Sequence, residues 1–285
     1  MGVTANSASL LTTDWAEEWK QLQVLRQRSD DASYWDGRAK NFGHNDRPND
    51  YANSFIELAN LQEGESVFDM GCGNGALALP LARAGHPVLA CDFSGGMLER
   101  LRADAEAQGL TNITSKQMSW ADDWEAAGVL PKSCDVAIAS RSIVTSDLRD
   151  SLERLSSVAR RKCCITLSTG HSPRSDENIL RAIGMTEAVG RDYWYALNIL
   201  IQMGIKPELQ YIKSARHDIY ESFDEAYGNA SLMLEGMGEL VTPQRKQQLA
   251  QNLHAWVTEH LKPCESGFMF DEPRVVSWAF ISWDA

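Results

Sequence analysis

The stretch Ser66-Val67-Phe68-Asp69-Met70-Gly71-Cys72-Gly73-Asn74-Gly75 runs from apolar residues through an acid into three alternating glycines, and an apolar segment, 76–84, follows directly. A short apolar run that breaks into glycines predicts a buried strand, a tight turn and a helix, because glycine takes the positive φ angles such a turn needs. Working outward, the same alternation continues. Residues 87–92 predict a second strand, and Ser94 caps a helix with Met97, Leu98 and Leu101 on one side and Gly109 at its end. Residues 113–118, 134–140 and 163–169 predict three more strands, and 147–158 a helix with Leu148, Leu152, Leu155 and Val158 in register. Strand and helix alternating in this way predict an α/β fold with a doubly wound, mostly parallel sheet.

The flanks read differently. Residues 14–28 predict an amphipathic helix capped by Asp14, with Glu17 completing a capping box and Trp15, Trp19 and Leu22 on one face. Residues 31–62 are rich in aromatics and divided by a polar loop at 44–49, with a helix expected over 51–60. Past Gly170 the alternation stops. Helices are expected at 175–183 and 191–204, a long strand at 207–220, a helix opened by the capping box Ser222-Phe223-Asp224-Glu225, another begun by Thr242-Pro243 and stopped by Pro263, and a closing strand at 275–283. The division this predicts is residues 1–50 as an N-terminal helical extension or lid and 51–285 as one domain. Helical additions fall at about 171–205 and 222–263, the second inserted before the last strand.

Composition excludes several classes. There are 27 basic and 39 acidic residues, a net charge of −12, and a field of that sign opposes a polyphosphate backbone. No nucleic-acid partner is therefore expected. No apolar run is long enough to span a membrane, and no basic residue precedes Lys20 as a secretory signal would require, so a cytoplasmic location without membrane contact is expected. The six cysteines form no CxxC pair and no zinc-like array, and no Asp, Glu or His pattern calls for a metal. Nothing in the sequence sets an oligomeric state.

The glycine turn carries the chemistry. Bare glycine backbone lets a ligand lie against the chain, and Asp92 ends the next strand about 20 residues beyond Gly71, where a carboxylate can accept hydrogen bonds from a ribose. Gly71, Gly73 and Ala76 also satisfy the looser nicotinamide fingerprint, so spacing alone leaves dinucleotides and adenosyl ligands both open. Asp69 favours the adenosyl ligand. A carboxylate two residues before the turn repels a pyrophosphate, whereas S-adenosylmethionine has no phosphate and carries a sulfonium and an ammonium.

At these residues the chain resembles the class I S-adenosylmethionine-dependent methyltransferases. The family's first motif, a strand ending in an acid and followed by G-x-G-x-G, is matched by residues 67–75, and its second, an acid closing the next strand, by Asp92 with Phe93 beside it. Residues 94–98 and 134–140 are similar to the serine-to-methionine stretch and the fourth strand. The resemblance extends over about residues 51–170. It implies a Rossmann-like methyltransferase fold, S-adenosyl-L-methionine as cofactor with S-adenosyl-L-homocysteine as product, and methyl transfer by in-line displacement. It implies a cofactor cradle of Asp69, Gly71, Cys72, Gly73, Asn74 and Gly75, with Asp92, Phe93 and Met97 on the next strand and helix. At the third strand the chain departs from the family, because Ser119-Trp120-Ala121-Asp122 stands where many members carry an acid toward the adenine. Trp120 either stacks there or covers the sheet edge. Ser119 and Trp120 of that turn, Ser140 at the end of the fourth strand and Tyr51 are further expected cofactor contacts, and Tyr51, with Tyr34, Trp35 and Arg38, belongs to N-terminal helices that in such proteins close over the cofactor.

Acceptor residues are less legible. Arg141 follows the fourth strand at the mouth of the sheet, where it either holds an anionic substrate or pairs with Asp147 or Asp150. Tyr193, Trp194 and Tyr195 form either a substrate wall or packing, and His44, His171 and His217 are candidate bases. A small-molecule acceptor suits the acidic surface. The alternatives are a nicotinamide-dependent oxidoreductase using the same loop and an S-adenosylmethionine-binding protein without turnover.

Overall fold

The computed structural model describes residues 12–26, 35–37, 49–172, 175–185, 191–235 and 237–285. Seven strands form the main sheet: β1 (Val67–Met70), β2 (Val88–Asp92), β3 (Ile113–Gln117), β4 (Cys134–Ser140), β5 (Ala159–Ser168), β6 (Glu208–Arg216) and β9 (Arg274–Asp284). Their order is β3-β2-β1-β4-β5-β9-β6. β1, β2, β3, β4 and β5 pair in parallel, and β9 enters antiparallel between β5 and β6. The strand order reverses between β1 and β4. This switch point opens a crevice at the carboxyl ends of the strands, where open α/β sheets bind their ligands.

Helices cover both faces. On one lie α2 (Asp50–Ala59), α3 (Ala78–Arg83) and α4 (Gly95–Ala107), whose Phe55, Leu81 and Leu98 pack against Val67, Ala90 and Phe280 of the sheet. On the other lie α1 (Trp15–Arg26), α5 (Leu148–Val158) and α7 (Asp192–Gln202), with Trp19, Leu152 and Ile199 against Phe68, Ala137 and Ile165. Burial of both faces explains why the strands read as continuous apolar runs rather than alternating ones. The caps are those the sequence supplies. Asn49, Ser94 and Asp147 each accept from a backbone N–H in the first turn of the helix they precede. Asp14 accepts from the Ala16 and Glu17 amides at 3.1 Å, but the Glu17 side chain accepts from Gln21 four residues on, so the reciprocal half of the expected capping box is not formed among the described residues.

α1 is fastened in its second turn and at its carboxyl end. The Trp19 indole donates to the Thr145 carbonyl at 2.8 Å, and the buried Arg26 guanidinium meets the buried Asp192 carboxylate at 2.7 Å. A third cluster joins α6 (Glu177–Ala182), α8 (Phe223–Glu235) and α9 (Pro243–His260) through Leu180, Met233 and Leu253.

Two sequence expectations are corrected. β5 begins at Ala159 rather than 163, because the basic run 160–162 is extended strand whose first two arginines are engaged by Asp135 and Glu65. The region 222–263 is not wholly helical. α9 ends at His260, and Pro263 lies inside β7 (Leu261–Cys264), which pairs antiparallel with β8 (Gly267–Phe270) in a separate two-stranded ribbon. Proline at an edge strand removes no needed ladder bond. No helix among the described residues is long and apolar enough to cross a membrane.

Candidate functional site

The three glycines do different work. Gly71, Gly73 and Gly75 all adopt positive φ, at 75°, 54° and 88°. The loop starts tightly, with the Gly71 and Cys72 amides both donating to the Cys91 carbonyl at 2.7 and 2.9 Å. A Cβ on Gly71 would stand 2.2 Å from Cβ of Ser142, so glycine here permits close approach of the β4 end. At Gly75 a Cβ would press on Leu79 and Leu101 at 3.0 and 3.1 Å, so that glycine seats the loop on its helices. Around Gly73 nothing lies within 4 Å of the Cβ position. The middle of the loop is therefore bare backbone facing open space, a cradle that a side chain would fill.

Two carboxyl groups bracket this cradle. Asp92, 5 % exposed, accepts from the Gly73 amide with one oxygen and from the Ser94 amide with the other, at 2.8 and 2.9 Å. Each oxygen keeps a lone pair for a ligand hydroxyl. Burial holds its pKa above the ordinary range, opposed by those backbone donors. Asp69, 2 % exposed, has no hydrogen-bond partner on Oδ2 among the described residues. Burial first, and the neighbouring Asp92 charge second, push Asp69 up to about 8. The simple repulsion of a pyrophosphate by Asp69 is thus corrected: near neutral pH this carboxyl is largely protonated until a cation enters. An enclosed carboxyl with an unused acceptor oxygen suits an ammonium or sulfonium, so these acceptor groups fit S-adenosylmethionine.

The wall beside β4 is built from four elements. The Tyr51 hydroxyl of α2 hydrogen-bonds Oγ of Ser140 at 2.7 Å and Oγ1 of Thr166 at 2.6 Å, tying the helix to the ends of β4 and β5. Its ring meets Trp278 of β9 edge-on at 6.2 Å. Over that ring lies the Arg141 guanidinium, 4.2 Å from the centroid. On the β2–β3 side the Trp120 indole donates to the Ser142 carbonyl at 3.0 Å and tilts against Trp124, which is buried edge-on to Phe68 of β1. The Ser119 amide is taken by Asp122. Met97 is buried beneath the Ser94 cap, the Phe93 carbonyl accepts from Gln117, and Cys72 and Asn74 are buried within the loop.

The structure therefore brings Asp69, the glycine loop, Asp92, Ser140 and Tyr51 together, with Trp120 tied to the same loop through Ser142. Tyr195 instead sits edge-on to Trp15 and Trp19 in the core of the other face, and Tyr193 edge-on to Tyr211. The expected pairing of Arg141 with Asp147 or Asp150 is overturned, since Lys20 holds the first and Arg154 the second. His171 stands 3.5 Å from Asp176, and His217 is exposed. Tyr34, Arg38 and His44 lie outside the described residues. Four contributors were missed: Ser142, Thr166, Trp278 and Asp36. Asp36 accepts from Oγ of Ser94 at 2.6 Å and from the Gly96 amide at 3.0 Å, placing part of the N-terminal segment at the end of β2. None of the four carries a local motif; each is brought in by pairing or packing from a distance.

A methyltransferase-domain family model matches residues 67–162. An uncharacterised protein of Haemophilus influenzae is 34% identical over 208 residues, which span 72% of this chain and 76% of that protein. The aklanonic acid methyltransferase DauC of a Streptomyces strain is 34% identical over 92 residues, 31% of this chain and 40% of the relative. Among solved structures, phosphoethanolamine N-methyltransferase 2 of Haemonchus contortus, in complex with phosphomonomethylethanolamine and S-adenosylhomocysteine, superposes with a TM-score of 0.51 at 12% identity. The match covers 96% of this chain and 60% of that one, a likeness of fold.

Proposed function

Because the chain belongs to the class I S-adenosylmethionine-dependent methyltransferase family and is an enzyme of that kind, we propose that it methylates a small-molecule acceptor by in-line displacement, with the cofactor over loop 71–75. The observation that carries this reading is Asp69, an enclosed carboxyl with a free acceptor oxygen, at the head of a loop whose middle glycine faces open space. Bound S-adenosylmethionine supplies a methyl group already activated by its sulfonium. The protein's part is to bind, orient and exclude water. Asp69 accepts from the ligand ammonium, Asp92 accepts from the ribose hydroxyls, and the Gly73 backbone allows the nucleoside to approach. Tyr51, held at its hydroxyl by Ser140 and Thr166, forms a fixed wall where the acceptor meets the cofactor's reactive end. No protein nucleophile is required, which is why no catalytic motif stands out.

Three observations support a small molecule. The surplus of acidic residues opposes a nucleic-acid backbone. The additions α6, α8 and α9 follow β5 and β6 and pack into one apolar cluster, material for an acceptor pocket at the mouth of the sheet. The DauC relative is named for methylation of aklanonic acid.

A thermal-shift panel of S-adenosylhomocysteine, NAD(H) and NADP(H) tests the cofactor. S-adenosylhomocysteine alone should stabilise the protein, and Asp92→Ala should remove that shift. Stabilisation by a nicotinamide in its place would refute the reading.

A further inference from the structure

Arg141 has four properties that core packing does not require. It sits directly after β4, one residue before the Ser142 that touches Gly71, and so at the switch point of the sheet. Its φ is 60°, in the left-handed region that residues with a Cβ avoid. That conformation is held by its own amide, which meets Oγ1 of Thr166 at 3.1 Å and the Thr166 carbonyl at 3.3 Å. Backbone strain kept at the carboxyl end of a central strand is a mark of a functional position. The side chain is exposed and has no ion pair among the described residues, while the two nearest acids in sequence are engaged by Lys20 and Arg154.

The guanidinium nonetheless packs on aromatic rings. Its Cζ lies 4.2 Å from the Tyr51 ring centroid and 5.7 Å from that of Trp278. Tyr51 is itself fixed by two hydroxyl hydrogen bonds. A guanidinium stacked on aromatic faces keeps its in-plane N–H groups free and has already lost much of its rotamer freedom. It leans toward β5 and β9, away from the β2 end where Asp92 marks the ribose side.

We propose that Arg141 selects the methyl acceptor, and that the acceptor carries an oxyanion, a carboxylate or a phosphate, bound by this guanidinium. The proposal rests on the methyl-transfer reading and deepens it. A planar donor fork matches an oxyanion in two parallel hydrogen bonds. Held there, an anionic acceptor is anchored on the β5–β9 side, with its nucleophilic atom turned to the reactive end of the cofactor. Arg141 is thus a substrate-binding residue and takes no part in proton transfer.

The test uses the full chain saturated with S-adenosylhomocysteine, at constant ionic strength. Benzoate and inorganic phosphate are titrated as probes, and benzamide serves as the neutral match. At least one anion should bind and benzamide should not, and the better anion distinguishes a carboxylate acceptor from a phosphate one. Arg141→Gln should weaken that anion by about 10- to 100-fold, the weight of a charge-assisted hydrogen bond, and Arg141→Lys by less. The affinity for S-adenosylhomocysteine should stay within about twofold in both variants, which also shows that they fold. Equal anion affinity in wild type and Arg141→Gln overturns the proposal. So does a tenfold loss of S-adenosylhomocysteine in Arg141→Gln, which would assign the guanidinium to the cofactor. Failure of the wild type to bind S-adenosylhomocysteine at all is a separate outcome, and it refutes the methyl-transfer reading itself.

Discussion

If Asp69 takes the cationic end of the cofactor, as proposed, cofactor binding is a proton-linked event. In the ligand-free crevice its carboxyl is raised to about 8, by burial and then by Asp92, so at pH 7 it is mostly neutral. An ammonium beside Oδ2 stabilises the ionised form, so binding must drive the proton off. Each pH unit below 8 adds about 1.4 kcal/mol to that step. The dissociation constant of S-adenosylhomocysteine should therefore rise about tenfold per unit on going from pH 7.5 to 6, and level off above about 8.5. Calorimetry in two buffers of different ionisation enthalpy should show nearly one proton released per ligand at pH 7. The ligand's amino group also titrates, so Asp69→Asn is measured in parallel and the two curves subtracted. The variant should lose the proton release and bind more weakly at pH 8.5. A linked effect on stability has the opposite sense. A carboxyl raised above its unfolded value of 3.8 contributes stability that is full at low pH and is lost as pH climbs toward 8. Asp69→Asn should accordingly raise the ligand-free Tm at pH 8 while lowering ligand affinity. Equal proton release in wild type and variant, with parallel affinity curves, would refute the assignment of Asp69 to the cationic end of the cofactor.

The glycine loop separates folding from binding. Gly71→Ala should destabilise by about 3 kcal/mol, since its Cβ meets Ser142 at 2.2 Å on a backbone already at positive φ. Gly73→Ala has open space around it, so it should cost only about 1 kcal/mol in urea unfolding yet weaken S-adenosylhomocysteine tenfold or more; similar losses of stability in the two variants would count against distinct roles. Arg26→Ala should cost about 3–5 kcal/mol by stranding the buried Asp192, and adding Asp192→Ala should restore much of it. Unchanged denaturant midpoints in Arg26→Ala would show that α1 is not anchored there.

What could be read locally was read from local physics. Gly71, Gly73 and Gly75 announced a turn because no other residue takes those angles cheaply, and Ser94 and Asp147 announced helix starts because their side chains satisfy orphan amides. Asp92 stood out for the same kind of reason, an acid ending a buried strand a fixed distance past the glycines. The ribbon Leu261–Cys264 with Gly267–Phe270 escaped because its first strand carries Pro263 and both strands are short and half-buried. Arg141 was legible only as a pair of alternatives, an anion site or an ion pair with Asp147 or Asp150, and the positions of Lys20 and Arg154 remove the second.

Taken alone, then, the chain determined its strand–turn–helix alternation and the acids bracketing the glycine loop. Periodicity, capping and φ preference act over a few residues and need no partner. Only the tertiary structure decided that Ser142 fills the space left by Gly71, that Thr166 and Trp278 join Tyr51 from strands far along the chain, and that Asp69 is enclosed enough to hold its proton. These depend on pairing register and on exclusion of water, which arise when distant segments meet.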